Sequence, residues 1–245
     1  MNVKITIDYL GTAYHGWQIQ SGHDTVQGRL EEAVCKLTGQ AVPVVGSGRT
    51  DAGVHAIGQV ANFEIEENGR SYNFVKGLNH FLPQDIRVLD ACVVPSDFHA
   101  RFSAKRKTYV YAIYEAITDR AIYLNRAMRV NGVLDVDKMN EVASVLIGEH
   151  DFASFMSSGS PVKSTVRNLF ELSAERKNGL IEITATANGF LYNMVRRLAS
   201  CLIKAGKGEL SKNQVEQILL SKDALLIKDI VPACGLYLKS VEYDL

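Results

Sequence analysis

The sequence predicts an α+β protein of two halves, each a split β-α-β unit of ferredoxin-like topology. Three observations carry this. Short segments in which apolar and polar residues alternate recur along the chain, as half-buried strands require. Amphipathic segments of helical period interrupt them. The order of the two kinds repeats, β-α-β-β-α-β over residues 1–104 and β-α-β-β-α-(α)-β over 105–245, although no sequence repeat of fixed period exists. Mainly antiparallel sheets with helices on one face follow, RRM-like in arrangement, with a central cleft as the expected working surface.

Val3 to Leu10 alternates Val3, Ile5, Ile7 and Tyr9 with polar neighbours and reads as the first strand. Gly11 to Gln20 is a loop carrying Tyr14, His15, Trp17 and Gln18, in which the lone tryptophan either plugs a core or lines a site. Val26, Leu30, Ala33, Val34 and Leu37 fall at helical spacing; Asp24 with Gln27 resembles a capping box, and Gly39 ends the helix. The apolar run Ala41 to Val45 and the run Gln59 to Ile65 read as strands, the second ending at Glu66-Glu67-Asn68-Gly69. Ser71 to Leu78 reads as a short helix, Pro83 prevents its continuation, and Ile86 to Val94 is a strand.

In the second half, Thr108 to Ile113 is strand-like with Tyr109 and Tyr111 on one face, and Ala121 to Val133 has no clear period. Asp135 opens a helix with Met139, Val142, Ala143, Leu146 and Ile147 on one side, closed by Gly148. Val166 to Ser173 and Leu180 to Ala187 flank a Lys177-Asn178-Gly179 hairpin turn. Phe190 to Ala205 is the strongest helix, striped by Leu191, Met194, Val195, Leu198 and Leu202 and ended by Gly206 and Gly208. Ser211 to Leu220 is a further helix, and Gly235 to Val241 alternates as a last strand after Pro232.

Composition excludes several classes. Forty-seven per cent hydrophobic and 22 per cent charged residues are ordinary for a globular chain. Lys plus Arg and Asp plus Glu number 27 each, so a nucleic-acid partner would have to be met by local patches. Cys35, Cys92, Cys201 and Cys234 are far apart and the six histidines form no H-x-x-x-H pair, so neither a disulfide framework nor a metal site is suggested. No signal pattern or membrane-length apolar run occurs, which points to a reducing, cytoplasmic setting.

One stretch stands apart, Val45-Gly46-Ser47-Gly48-Arg49-Thr50-Asp51-Ala52-Gly53-Val54-His55-Ala56. Three glycines within eight residues shape a tight connection around one cation and one carboxylate. Locally, Asp51 reads as a turn-capping aspartate; the sharper reading is a carboxylate held on a rigid loop as a nucleophile or base. The glycine spacing fits neither G-x-G-x-x-G nor a P-loop, and Ser157-Ser158-Gly159-Ser160 is not the G-x-S-x-G of serine hydrolases. Basic residues cluster at Arg101, Lys105, Arg106 and Lys107 beside Tyr109 and Tyr111, at Arg120, Arg126 and Arg129, and at Arg196-Arg197 with Lys204 and Lys207. Each cluster alone reads as a solvated face; together they could follow a phosphate backbone. At 100° per residue Arg196 lies off the apolar stripe, toward solvent or a cleft.

With these residues in view the chain resembles the tRNA pseudouridine synthases of the TruA type over nearly its whole length. Asp8-Tyr9-Leu10-Gly11-Thr12-Ala13-Tyr14-His15-Gly16-Trp17-Gln18 is similar to the family's opening motif, with the Asp-Tyr order reversed and Leu10 intervening. Thr25-Val26-Gln27 comes next, and Gly48 to Ala56 matches the catalytic G-R-T-D-x-G-V-H-A. Leu82 to Ile86, Phe98 to Ala104, Gly148 to Phe152, Phe190 to Arg196 and Gly235 to Leu238 continue in the family's order. The resemblance implies that Asp51 is the nucleophile and that Tyr109 packs on the target uracil. It also implies that Arg196 is a basic partner of the aspartate and that Arg49 assists uridine flipping. It implies action on uridines at tRNA positions 38, 39 and 40 of the anticodon stem-loop, no metal or organic cofactor, and a homodimer whose tRNA spans both subunits. Lys105, Arg106, Lys107 and Arg197 are the candidate RNA-binding cations. The rival expectation is a non-catalytic RNA-binding protein of two RRM-like halves, and a further one is a ferredoxin-like enzyme acting on a small molecule.

Overall fold

The computed structural model describes residues 1–67, 69–159 and 162–244. Asn68 of the expected turn and Ser160 of the serine run lie outside the described residues. The chain forms two compact units, Met1–Lys105 with Tyr237–Leu245, and Arg106–Leu236. Each is α+β with a mainly antiparallel sheet.

In the first unit β1 (Asn2–Tyr9) turns Val3, Ile5 and Ile7 fully into the core. It pairs antiparallel with β3 (His55–Glu64) on one side and β4 (Ile86–Val94) on the other. The run expected as a strand at Ala41–Val45 is reduced to β2 (Val45–Gly46), which pairs with Asn62 and Ala61 of β3. Helix α1 (Val26–Thr38) ends at Gly39, whose φ of 79° is the left-handed conformation that glycine adopts without strain. Its N-cap is Thr25, whose hydroxyl accepts from Gly28 N, and not Asp24, which is bound to Arg29. Gln27 is drawn off to Glu31 and Val44, so the expected capping box does not form. Helix α2 (Phe74–Phe81) starts at the Asn73 cap, later than expected, and stops short of Pro83. The last strand, β10 (Leu236–Tyr243), runs parallel to β3, with Tyr237 opposite His55.

The second unit's sheet runs β5-β9-β8-β7. β5 (Ala104–Glu115) and β9 (Leu180–Ala187) are antiparallel, as are β9 and β8 (Val166–Lys177). The β8–β9 turn places Asn178 and Gly179 at φ 51° and 79°, the two left-handed positions of a tight hairpin. Two short strands had no alternation to announce them: β6 (Met128–Val130), parallel to β5, and β7 (Gly148–Asp151). Helix α3 (Val136–Ala143) is capped by Asp135 and packs on α4 (Met194–Gly206). α4 begins four residues after Phe190 because Asn193 takes the left-handed conformation at φ 59°. Helix α5 (Lys212–Ser221) opens with a complete Ser211–Gln214 capping box.

The Gly148–Phe152 motif proves to be a structural knot. Asp151 accepts from the Thr165 hydroxyl at 2.5 Å and Ala153 N at 3.2 Å, and pairs with Lys222 at 3.0 Å. The Thr165 bond foremost, with Lys222 next, holds its carboxyl below the usual carboxylate range. A depressed pKa stabilises the fold above the unfolded value of about 4, and that contribution fades as pH falls through the folded value. Asp151→Asn is therefore expected to lower stability near pH 7 by about 1 kcal/mol. Melting curves from pH 7 to pH 3 should show the gap between variant and parent closing.

Candidate active site

The loop that carries Asp51 is held from several sides by its own unit. Ser47 N donates to Val60 O at 2.7 Å and Ser47 Oγ to Gln59 Oε1 at 2.6 Å. Gln59 Nε2 donates to Gly48 O at 3.1 Å. The Thr50 and Tyr9 hydroxyls bond at 2.7 Å, and Thr50 O accepts from Trp17 N at 3.0 Å. Val54 N closes a turn on Asp51 O at 3.1 Å, with Gly53 at φ 78° supplying the left-handed corner. His55, buried, accepts the Gly11 amide on Nδ1 at 2.9 Å and stacks on Tyr237 at 4.7 Å. The segment is thus a tight turn, and the turn fixes where the half-buried Asp51 carboxylate stands.

The opening motif is the other half of this support. Gly16 has φ 83°, and a Cβ there would lie 2.5 Å from Thr50 O. A Cβ on Gly11 would overlap the Val54 carbonyl. A Cβ on Gly46 would lie 2.5 Å from the Trp17 indole. At Gly11 and Gly16 backbone therefore packs on backbone, and at Gly46 the indole packs on backbone, which only glycine allows. Trp17 is buried and fills the core. Gly16 and Trp17 turn their carbonyls to the amides of Val26 and Gln27 at 3.2 and 3.0 Å, satisfying donors that α1 leaves open at its first turn. Exposed Arg49 is tied to this segment through Nε to Gln18 Oε1 at 3.0 Å. No local pattern marks Tyr9, Thr50, His55 and Gln59 as supports of the loop, since their partners are remote in the chain.

In the second unit Tyr109 sits on β5 opposite Ala185, 8 % exposed, with its ring edge-on to Phe190 at 5.2 Å. Arg196 is half-buried on α4. Its Nε donates to Val231 O at 2.7 Å and its Nη1 to Asn193 Oδ1 at 3.0 Å. The left-handed turn at Asn193 thus both starts α4 and orients the guanidinium. Among the other cations, exposed Lys105 pairs with Asp244 at 3.2 Å in the first unit. Exposed Arg106 lies 4.5 Å over the Phe170 ring, and Lys107 is half-buried opposite Ala187. Arg197 departs from the expectation of an RNA contact. It is buried, and its Nη1 donates to Ser154 O and Ala224 O at 3.3 and 2.9 Å, stitching α4 to two neighbouring segments.

A family model described as tRNA pseudouridine synthase matches residues 5–103 and 142–244. The chain belongs to the tRNA pseudouridine synthase family. It is an isomerase by that membership, and the reading as a non-catalytic RNA-binding protein is not favoured. It is 45 % identical over 242 residues to tRNA pseudouridine synthase A of Caldicellulosiruptor saccharolyticus, covering 99 % of both chains. Its likeness to the synthases A of Caldicellulosiruptor bescii and Acetivibrio thermocellus is 44 % and 42 %, over the same share. The matched segments of this synthase take in Arg49, Asp51 and Arg196, and they leave Tyr109 and the cations at 105–107 in the stretch between them. Among the described residues no helix is long and apolar enough to cross a membrane.

Proposed function

We propose that the protein converts uridine to pseudouridine in the tRNA anticodon stem-loop, at tRNA positions 38, 39 and 40, with Asp51 as nucleophile. The observation that carries this is the Asp51 loop, fixed by the opening motif and β3 in a chain of the pseudouridine synthase family. A carboxylate meant to attack one atom of a flipped base gains from a support that does not move.

The reaction breaks the N1–C1′ bond, turns the uracil and joins C5 to C1′; the C5 proton leaves and N1 takes one up. The uridine leaves its stack first, at a cost of a few kcal/mol, and Arg49, exposed at the tip of the loop, is proposed to assist that step. Asp51 attacks uracil C6 or ribose C1′, forms an ester-like bond and departs again. A guanidinium near the aspartate favours its ionised form, and Arg196 is proposed for that role. Tyr109 is proposed to hold the ring face and to act in removal of the C5 proton. Asp51 and Arg49 belong to the first unit and Tyr109 and Arg196 to the second.

The two units are proposed to be ferredoxin-like halves. The order β4-β1-β3, with β2 beside β3, is that of a split β-α-β unit, and β5-β9-β8 repeats three of its four positions. Lys105, Arg106 and Lys107 are proposed as phosphate contacts, and a cytoplasmic homodimer as the working form. The deciding experiment is hydrogen release from tRNA tritiated at uracil C5. Turnover should release tritium and leave pseudouridine at positions 38–40; a mere binder releases none, and turnover of free uridine would point to a small-molecule enzyme. Tyr109→Phe is expected to bind tRNA like the parent and to release tritium about 100-fold more slowly. An unchanged rate would confine Tyr109 to packing.

A further inference from the structure

Phe102 is 74 % exposed, on a turn that the proposed reaction does not use. The turn is held firmly. His99 Nδ1 accepts from the amides of Arg101 and Phe102 at 3.1 and 3.3 Å. Ser103 N donates to His99 O at 2.9 Å, and His99 N to Ser103 Oγ at 3.1 Å. Beneath it, fully buried Ala100 donates to Asn62 Oδ1 at 2.9 Å and accepts the Tyr243 hydroxyl at 2.7 Å. Phe98 packs into the core with Val60, Val94 and Tyr243. The His99 ring lies 4.2 Å from the Phe102 ring, and the Arg101 guanidinium 5.7 Å from its centroid.

A single exposed apolar side chain needs no explanation. This one is an aromatic ring on a fixed turn, backed by an imidazole and flanked by the exposed cations Arg101 and Lys105. A flat ring with cations beside it suits a ligand that is itself flat and tied to negative charge, an unpaired nucleobase with its phosphates. The exposed Lys105–Asp244 pair is weak enough to be exchanged for a phosphate. We propose that Phe102 is a stacking platform for an unpaired nucleobase of the substrate RNA, with Arg101 and Lys105 taking the neighbouring phosphates. This rests on the reading of the protein as a tRNA enzyme and adds a contact to it.

Phe102→Trp supplies the probe, because Trp17, the other tryptophan, is buried. Titration with anticodon stem-loop RNA should quench the introduced indole saturably, and a blunt duplex of equal length should not. Phe102→Ala and Phe102→Leu should both weaken RNA affinity about tenfold, since leucine keeps apolar surface but has no π-face. The proposal is overturned by an indole that RNA does not quench, or by an alanine variant that binds like the parent. An emission change that follows protein concentration without RNA would also overturn it, placing the ring between copies. Tritium release by the tryptophan variant separates the two readings. Release with an unquenched indole leaves the isomerase standing and removes the platform; quenching by RNA without release from any tRNA does the reverse.

Discussion

Asp51→Asn should leave a folded, tRNA-binding protein that no longer makes pseudouridine. The substitution keeps the shape of the side chain and the backbone bond from Val54 N to Asp51 O, so the turn survives. What it removes is the carboxylate proposed as the nucleophile. Loss of an attacking group that works with positioned partners typically costs more than about 10⁴-fold. The measurement is single-turnover tritium release beside a tRNA-binding titration. Affinity should stay within a few-fold of the parent while release falls to background. Turnover retained by the asparagine and alanine variants alike would end the assignment of Asp51 and would shift attention to another group.

How much of the structure could be read from the chain depends on whether each signal is local. Gly39 ends α1 and the Asn178-Gly179 turn closes β8 on β9 because a left-handed φ is a property of the residue in place. The short strands β6 and β7 exist only through pairing with β5 and β8, so no alternation marked them. The placing of β10 beside β3 is likewise a pairing across most of the chain. Helical period placed Arg196 off the apolar stripe, and it is half-buried with its donors on Val231 and Asn193. Arg197 shares a side of α4 with Met194 and Cys201, both in the core, because that helix is buried on more than one face. A charge next to a charge in sequence was a poor guide to a shared surface.

The site divides in the same way. The turn at Asp51 was legible because its glycines lie in one contiguous stretch. Its supports were not, since Tyr9 meets Thr50, and Gly11 meets His55, across some forty residues. The opening motif and the Asp51 loop are one structural object whose halves are separated in sequence. That gives a physical reason for Gly11, Gly16 and Trp17 that their own neighbourhood could not supply.

Gly16→Ala tests that coupling most severely. The residue is at φ 83°, where an alanine costs about 1–2 kcal/mol. Its Cβ would also lie 2.5 Å from Thr50 O and 3.1 Å from the Asp51 carbonyl carbon, both backbone atoms that no rotamer change can move aside. Relief has to come from separating the segment around Trp17 from the loop, which breaks the bond from Trp17 N to Thr50 O and shifts Asp51. Stability should fall by about 2–4 kcal/mol. With Asp51 as the proposed nucleophile, an ångström of displacement there should also cost about 100-fold in rate, with tRNA affinity little changed. Gly22→Ala is the matched control. It has nearly the same φ, 77°, with nothing within 4 Å of the added carbon. It should show the backbone cost alone, about 1 kcal/mol, and keep its rate. If both variants lose activity equally, the contact between Gly16 and the Thr50–Asp51 backbone does not position the carboxylate. If only Gly16→Ala slows, the opening motif acts on the chemistry through the loop it supports.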